Sequence, residues 1–97
     1  MTSVRLKDFG TTFATRQRAD AVVSEIRTRG LKDTIEINFE GVKAASPSFL
    51  DAFMGGLGEI VEEATLTSVQ DESLMDLLER VIERRGFQQR FRILATV

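Results

Sequence analysis

The chain contains neither cysteine nor histidine among its 97 residues. The absence of cysteine excludes disulfides and thiolate chemistry, and it makes a reducing cytoplasm the simplest location for the protein. Without histidine and cysteine there is no imidazole base, no histidine-containing triad and no transition-metal site of the usual ligand types. Catalysis would depend on carboxylates, Ser, Thr, Lys or Arg. We therefore expect a protein that is not an enzyme and that needs neither a cofactor nor a metal.

Long apolar runs are also absent. No run approaches the roughly 20 residues that a membrane span requires, and the N-terminus lacks the apolar region of a signal peptide. The formal net charge of −2 gives no general attraction to nucleic acid or to an anionic membrane. We therefore expect neither nucleic acid nor a membrane as a partner, and the oligomeric state is left open.

The composition is that of one globular domain covering residues 1–97. Hydrophobic residues make up 42% of the chain and charged residues 29%, which is ordinary for a folded domain. A chain of this length buries roughly two-thirds of its surface in a single core.

Residues 35–57 carry most of the information about function. Within 35–40, three apolar residues alternate with Glu36, Asn38 and Glu40, which is the period of a strand with one buried face. Strands covered on both faces read instead as continuous apolar runs. The alternation therefore predicts a sheet packed by helices mainly on one face, with the three polar residues toward solvent or a partner.

A helix is predicted to start just after this strand, and two serines compete to cap it. Ser46 followed by Pro47 fits an N-cap and the first helical position, where a missing N–H costs nothing. Ser48 and Asp51 are three residues apart and fit a capping box with Ser48 as the cap. Either arrangement places a pair of hydroxyls at the positive end of a helix, just beyond the C-terminal end of a strand, where open α/β sheets carry their functional residues.

The run Ile-x-Phe-x-Gly-Val, followed after four residues by Pro-Ser-Phe-x-Asp-Ala-Phe, resembles the STAS-like domains of bacteria. These are relatives of the anti-sigma factor antagonists and of the cytoplasmic domains of sulfate transporters. The resemblance covers residues 35–57 well and residues 12–30 loosely. The antagonists usually have Asp-Ser-Ser-Gly where this chain has residues 46–49, so the resemblance is greater to a STAS-like branch of unassigned function.

This resemblance implies a regulatory module that binds another protein, in the antagonists a kinase-like ATPase that holds a sigma factor. It implies an α/β fold with a mixed sheet of four or five strands. The serine that is phosphorylated in the antagonists corresponds by position to Ser48, which is therefore the candidate phosphoacceptor. The candidate partner-binding residues are Ser46, Ser48, Asp51, Gly55 and Gly56.

The rest of the chain alternates between strand and helix patterns. Helices are predicted near 14–29, 47–58 and 72–85, and strands near 3–9 and 64–70. Thr12 or Thr15 fits the cap of the first helix, and Asp71 or Ser73 fits that of the third. The tail from residue 87 fits either a helical stripe or a final strand, and we favour the strand.

Three glycines inside the predicted second helix need an explanation, because each costs about 1 kcal/mol there relative to alanine. In order of preference, the helix ends early near Gly56 or Gly58, or a second backbone approaches closely, or the glycines cradle a phosphate. No phosphate-binding loop spacing is present.

Two other classes of function have some basis in the sequence. One is nucleic-acid binding by the basic C-terminal segment, in which arginines alternate with phenylalanines (Arg84, Arg85, Phe87, Arg90, Phe91, Arg92). The other is a carboxylate enzyme that pairs Asp51 with Glu40 or Glu59. Four further arginines lie in the first predicted helix (Arg16, Arg18, Arg27 and Arg29). The simplest explanation for them is a solvent-exposed face of that helix.

Overall fold

Three α-helices and six strands lie within residues 2–30 and 33–95, which are the part of the chain that the structure, a computed structural model, describes. The strands are β1 (Thr2–Arg5), β2 (Thr12–Phe13), β3 (Thr34–Asn38), β4 (Ala44–Ala45), β5 (Glu63–Val69) and β6 (Phe91–Ala95). The helices are α1 (Arg16–Thr28), α2 (Pro47–Ile60) and α3 (Glu72–Arg85). The predicted α/β class is confirmed. None of the described helices has the length and apolar character needed to cross a bilayer.

Among the described residues, four strands form one sheet in the order β1–β3–β5–β6, and every pairing in it is parallel. The four strands agree with the predicted number of four or five. The prediction of a mixed sheet is wrong for these strands, because all their pairings are parallel. The reason lies in the connections. A helix separates each strand from the next one in the sheet, and such a crossover returns the chain in the same direction.

The helices cover one face of this sheet. The strand order follows the chain order, so right-handed crossovers place α1, α2 and α3 on the same side. In β3, Ile35 and Ile37 are completely buried while Glu36 and Asn38 are half-buried. On the open face, the Thr67 hydroxyl donates a hydrogen bond of 2.7 Å to the Glu36 carboxylate. This arrangement agrees with the one-sided packing expected from the alternation in β3.

The core lies between the sheet and the helices, and α2 supplies its centre. Phe49, Phe53 and Leu57 are fully buried along the predicted stripe of α2. The ring of Phe49 lies 4.8 Å from that of Phe13, at the end of β2, and 5.5 Å from that of Phe53. A buried phenylalanine stack therefore fixes the start of α2 against the segment that precedes α1.

The ends of the chain depart in part from the predicted boundaries. The first strand ends at Arg5 and not near residue 9, because residues 6–8 form a 3-10 turn that buries Leu6. The short strand β2 lies just before the start of the first helix, where no strand was predicted. At the other end, the predicted final strand is confirmed as β6, while the last two residues of the tail, 96 and 97, lie outside the described residues.

Helix capping settles two of the open alternatives. Thr15, and not Thr12, caps α1, since its side chain accepts a hydrogen bond from the Arg18 amide. Asp71 caps α3 by accepting from the Ser73 amide at 2.8 Å, so the predicted capping box starting at Ser73 is wrong. Gly86 ends α3 with a positive φ of 71°, a conformation that glycine adopts without steric cost.

Candidate functional site

The starts of α1 and α2 lie side by side because a short pair of strands aligns them. β2 and β4 are parallel, with Thr12 opposite Ala44 and Phe13 opposite Ala45. Each strand leads directly into its helix, through Thr15 in one case and Ser46 in the other. Residues 14–18 and 43–48 thus form one surface, which we call the helix-start surface.

Ser46 is the N-cap of α2. Its hydroxyl oxygen accepts a hydrogen bond of 3.0 Å from the Phe49 amide and donates one of 2.8 Å to the Ala14 carbonyl. Its own amide donates to the Phe13 carbonyl at 2.8 Å. Ser46 therefore joins the two helix starts, and the alternative in which Ser48 caps the helix through a box with Asp51 is wrong.

Ser48 lies in the first turn of α2 with an exposed side chain. Pro47 occupies the first helical position, as the sequence predicted. Since Ser46 satisfies the capping requirement, the position of Ser48 is not explained by helix capping. The structure thus separates the two predicted serines into one that is built into the fold and one that faces solvent.

Asp51 lies one turn further along α2 and is clamped between two arginines. The Arg85 guanidinium donates to both carboxylate oxygens, at 3.1 and 3.2 Å, and Arg16 donates at 3.3 Å. Only 17% of the Asp51 side chain is exposed. The hydrogen bonds from Arg85, supported by the positive charges of both arginines, hold the pKa of Asp51 below its ordinary value despite partial burial. Asp51 therefore ties the start of α1 and the end of α3 to α2.

The glycines of α2 make room for side chains from the neighbouring elements. A Cβ on Gly55 would lie 2.5 Å from the Arg85 guanidinium, and a Cβ on Gly56 would lie 2.9 Å from the Val23 side chain of α1. A Cβ on Gly58 would lie 2.7 Å from the Phe87 ring. The helix continues to Ile60, so the preferred explanation of an early end is wrong. The close approach in the second explanation is real, but it involves side chains and not another backbone.

Of the five predicted partner-binding residues, only Ser48 is fully exposed. Ser46 and Asp51 are engaged in bonds that hold elements together, and Gly55 and Gly56 lie against other side chains. Sequence reasoning missed Arg16 and Arg85, which clamp Asp51. No local spacing indicates these bonds, because the residues they join are 34 and 35 positions apart.

Two of the four arginines in the basic C-terminal segment, Arg85 and Arg90, are engaged in contacts within the chain. Arg90 donates to the carbonyls of Gly58, Val61 and Glu62 at 2.6, 2.8 and 3.0 Å, and its guanidinium lies 4.9 Å from the Phe87 ring centre. It therefore satisfies the carbonyls at the C-terminal end of α2. Together with the clamp that holds Arg85, this contact engages two of the segment's four arginines, while Arg84 and Arg92 are exposed.

Two of the three predicted carboxylates, Asp51 and Glu40, lie beside basic side chains. Asp51 pairs with arginines, and Glu40 lies 3.9 Å from the Lys7 ammonium group. No cluster of three potential metal ligands occurs within residues 2–30 and 33–95. A surface cavity of about 820 Å³ lies at the opposite ends of α1 and α2, against the start of β5, and none of the five predicted residues lines it.

Comparison with protein-family models, with curated proteins and with solved structures finds no match to this chain. The geometry of the helix-start surface and the resemblance of residues 35–57 are therefore the features of this chain that bear on its function.

Proposed function

We propose that this chain is a STAS-like regulatory module that binds a protein partner through the helix-start surface, with phosphorylation of Ser48 as the switch. The observation that carries the proposal is the exposed position of Ser48 in the first turn of α2, next to a different serine that does the capping. A hydroxyl in that position is accessible to a kinase, and its modification leaves the cap intact.

The charge of the helix-start surface supports this proposal. Residues 14–18 and 43–48 include Arg16, Arg18 and Lys43 and no acidic residue. Neither α1 nor α2 has an acidic side chain in its first turn, and the nearby carboxylate of Asp51 is shared by Arg16 and Arg85, so the positive ends of both helix dipoles are not offset within those turns. We infer that the unmodified surface suits an acidic patch on the partner.

A phosphate on Ser48 would reverse this charge without unfolding the helix. It adds up to two negative charges, which are favourable at a helix N-terminus but unfavourable against an acidic partner. Asp51 does not oppose the phosphate strongly, because its carboxylate is already paired with two arginines. Phosphorylation would therefore release the partner while the module stays folded.

The resemblance to the anti-sigma factor antagonists suggests the class of partner, a kinase-like ATPase in the cytoplasm. A partner of this class would also supply the kinase activity, so the chain itself needs no catalytic residues. Both the partner class and the cytoplasmic location stay predictions. Nucleic-acid binding has less support, since Arg85 and Arg90 are held by internal bonds.

Mapping the phosphate tests the proposal. The purified chain is incubated with ATP and an extract of its native cells, and the modified residue is located by mass spectrometry. We expect phosphate on Ser48, no modification of the Ser48→Ala variant, and unchanged modification of Ser73→Ala. Ser73 is the matched control because it occupies the equivalent exposed position, two residues after the cap, in α3. Phosphate on Ser73, or on neither serine, would overturn the switch.

A further inference from the structure

The outer edge of β6 presents unpaired backbone groups. Within the described residues, β6 lies at one end of the sheet and pairs only with β5. The Ala64 amide donates to the Arg90 carbonyl at 3.0 Å, so the carbonyl of Arg90 faces β5. Backbone groups alternate in direction along a strand, and those of Ile93 consequently point away from the sheet. Such an edge is a template for another strand.

A groove runs beside this edge, between β6 and α3. It has a volume of about 400 Å³, and its apolar part includes Ile82, Phe91 and Ile93. Ile93 is half-buried, and the neighbouring Leu94 is 54% exposed. The edge therefore offers both unpaired backbone and apolar side-chain surface.

The opposite edge of the sheet is protected in a way that β6 is not. β1 has four residues and passes directly into the 3-10 turn of Leu6–Asp8. Arg5 at the end of β1 forms an ion pair of 3.6 Å with Asp8. Short edge strands with charged ends resist pairing with another chain.

Charge identifies the kind of strand that fits the β6 edge. Glu79 and Glu83 line the groove and outnumber its one basic lining residue, Arg92. They continue an exposed acidic stripe along α3 that starts with Glu72 and Asp76, because these four residues recur at helical spacing. If a second copy paired its β6 antiparallel to this one, its helices would lie on the same side and bring a second acidic stripe toward the first. The repulsion disfavours a second copy and favours a basic occupant.

We propose that an extended, basic segment of a partner protein adds to β6 as a fifth strand of the sheet. Its backbone pairs with the outward groups of Ile93, its apolar side chains contact Ile82 and Ile93, and its lysine or arginine side chains lie near Glu79 and Glu83. This mode of recognition takes affinity from the backbone and specificity from alternate side chains. The β6 edge is separate from the helix-start surface, so this inference does not depend on the proposed function.

The test uses the full chain and a short peptide of alternating lysine and valine with blocked ends. Binding is measured by fluorescence anisotropy, and amide hydrogen exchange locates the contact. We expect the Ile93 amide to become protected. The double variant Glu79→Gln, Glu83→Gln should bind about tenfold more weakly at low salt, since two exposed charge pairs are lost. The control Asp20→Asn, Glu25→Gln makes the same charge change on α1 and should bind like the unaltered chain.

A second peptide separates strand addition from simple charge attraction. It has the same charge but a proline in place of the central valine, and it should fail to bind because proline lacks the N–H that a ladder needs. Equal binding of both peptides would overturn the proposal. So would exchange protection elsewhere than β6, or protection of Ile93 that grows with protein concentration in the absence of peptide, which would indicate a second copy.

Discussion

Ser46 and Ser48 are separated by one proline, yet their side chains have different physical roles. The Ser46 hydroxyl bridges α2 to the residue before Thr15, while the Ser48 side chain is exposed to solvent. Loss of the first hydroxyl removes a cap and a bond between elements. Loss of the second removes neither, which makes Ser48 a position where chemistry can change without disturbing the fold.

We expect Ser46→Ala to destabilise the protein by about 1–2 kcal/mol, the usual range for a lost serine cap. Ser48→Ala should change the free energy of unfolding by less than about 0.5 kcal/mol, as is typical of surface substitutions. Urea denaturation of both variants checks this difference. Equal losses, or a larger loss for Ser48→Ala, would show that the assignment of the cap is wrong.

The clamp on Asp51 predicts a pH-dependent stability. The folded protein holds the pKa of this carboxyl below its ordinary value, chiefly through the hydrogen bonds from Arg85. Its contribution is therefore complete above the ordinary pKa of about 3.9 and is lost as the pH falls through the lowered pKa of the folded state. Asp51→Asn should cost about 1–2 kcal/mol at neutral pH, because hydrogen bonds between charged groups are lost.

The difference between Asp51→Asn and the unaltered chain should shrink as the pH falls below about 4, because the Asp51 carboxyl becomes protonated first in the unfolded chain and then, at its lowered pKa, in the folded protein. Denaturation midpoints at a series of pH values measure it. Asp20→Asn, an exposed change on α1, serves as the control and should show no such trend. A difference that stays constant across the acid range would mean that the charge of Asp51 does not hold the clamp.

At the scale of the element, α2 is a helix that gives up intrinsic stability for close contacts. Its glycines lower helix propensity, but each of them accepts a side chain that would collide with a Cβ. The guanidinium at Gly55 is the far end of a flexible side chain. The Val23 side chain at Gly56 is short, branched and buried, so it cannot move aside as easily.

Alanine substitutions should therefore act differently at these two positions. Gly56→Ala is expected to destabilise by about 1–3 kcal/mol through overpacking against Val23, despite its gain in helix propensity. Gly55→Ala should stay within about 1 kcal/mol of the unaltered chain, since the gain in helix propensity offsets the cost of displacing the Arg85 guanidinium from its bonds to Asp51. Thermal unfolding followed by circular dichroism gives both values. Stabilisation by Gly56→Ala would contradict the packing described for α1 and α2.

Helices and strands could be predicted from the sequence wherever a periodic pattern of apolar residues extended along the whole element. The stripe of α3 and the alternation in β3 are examples, and α2 began at Pro47 as expected. The cap of α2 could not be chosen, because two serines only two residues apart both fit the local rules for a cap. β2 and β4 have only two residues each, which is too short for any period to appear.

The candidate site was less predictable because its contacts are long-range. The exposed serine and the helix start follow from local residue types. The pairing of Asp51 with Arg85 depends on how α2 and α3 pack, which a one-dimensional pattern does not encode. The parallel sheet was missed for a related reason, since alternation reports which face is covered and not the direction of the neighbouring strand.

At the scale of the whole molecule, one layer of helices on one face of a parallel sheet concentrates stability in a single core. Phe53 in α2 and Leu78 in α3 are both completely buried in it. Phe53→Ala and Leu78→Ala should each cost about 2–5 kcal/mol in chemical denaturation. A loss below about 0.5 kcal/mol for either would place that residue outside the core.

The central claim is that charge at Ser48 controls the binding of a protein partner. The most direct test immobilises the unaltered chain, Ser48→Asp, Ser48→Ala and Ser73→Asp, and compares how much of the same partner each retains from an extract of the native cells. All four should be folded by circular dichroism, because a negative charge at a helix N-terminus is favourable by about 0.3–1 kcal/mol. We expect Ser48→Asp alone to lose the partner. Retention of that partner by Ser48→Asp at the level of Ser48→Ala and Ser73→Asp would contradict the account.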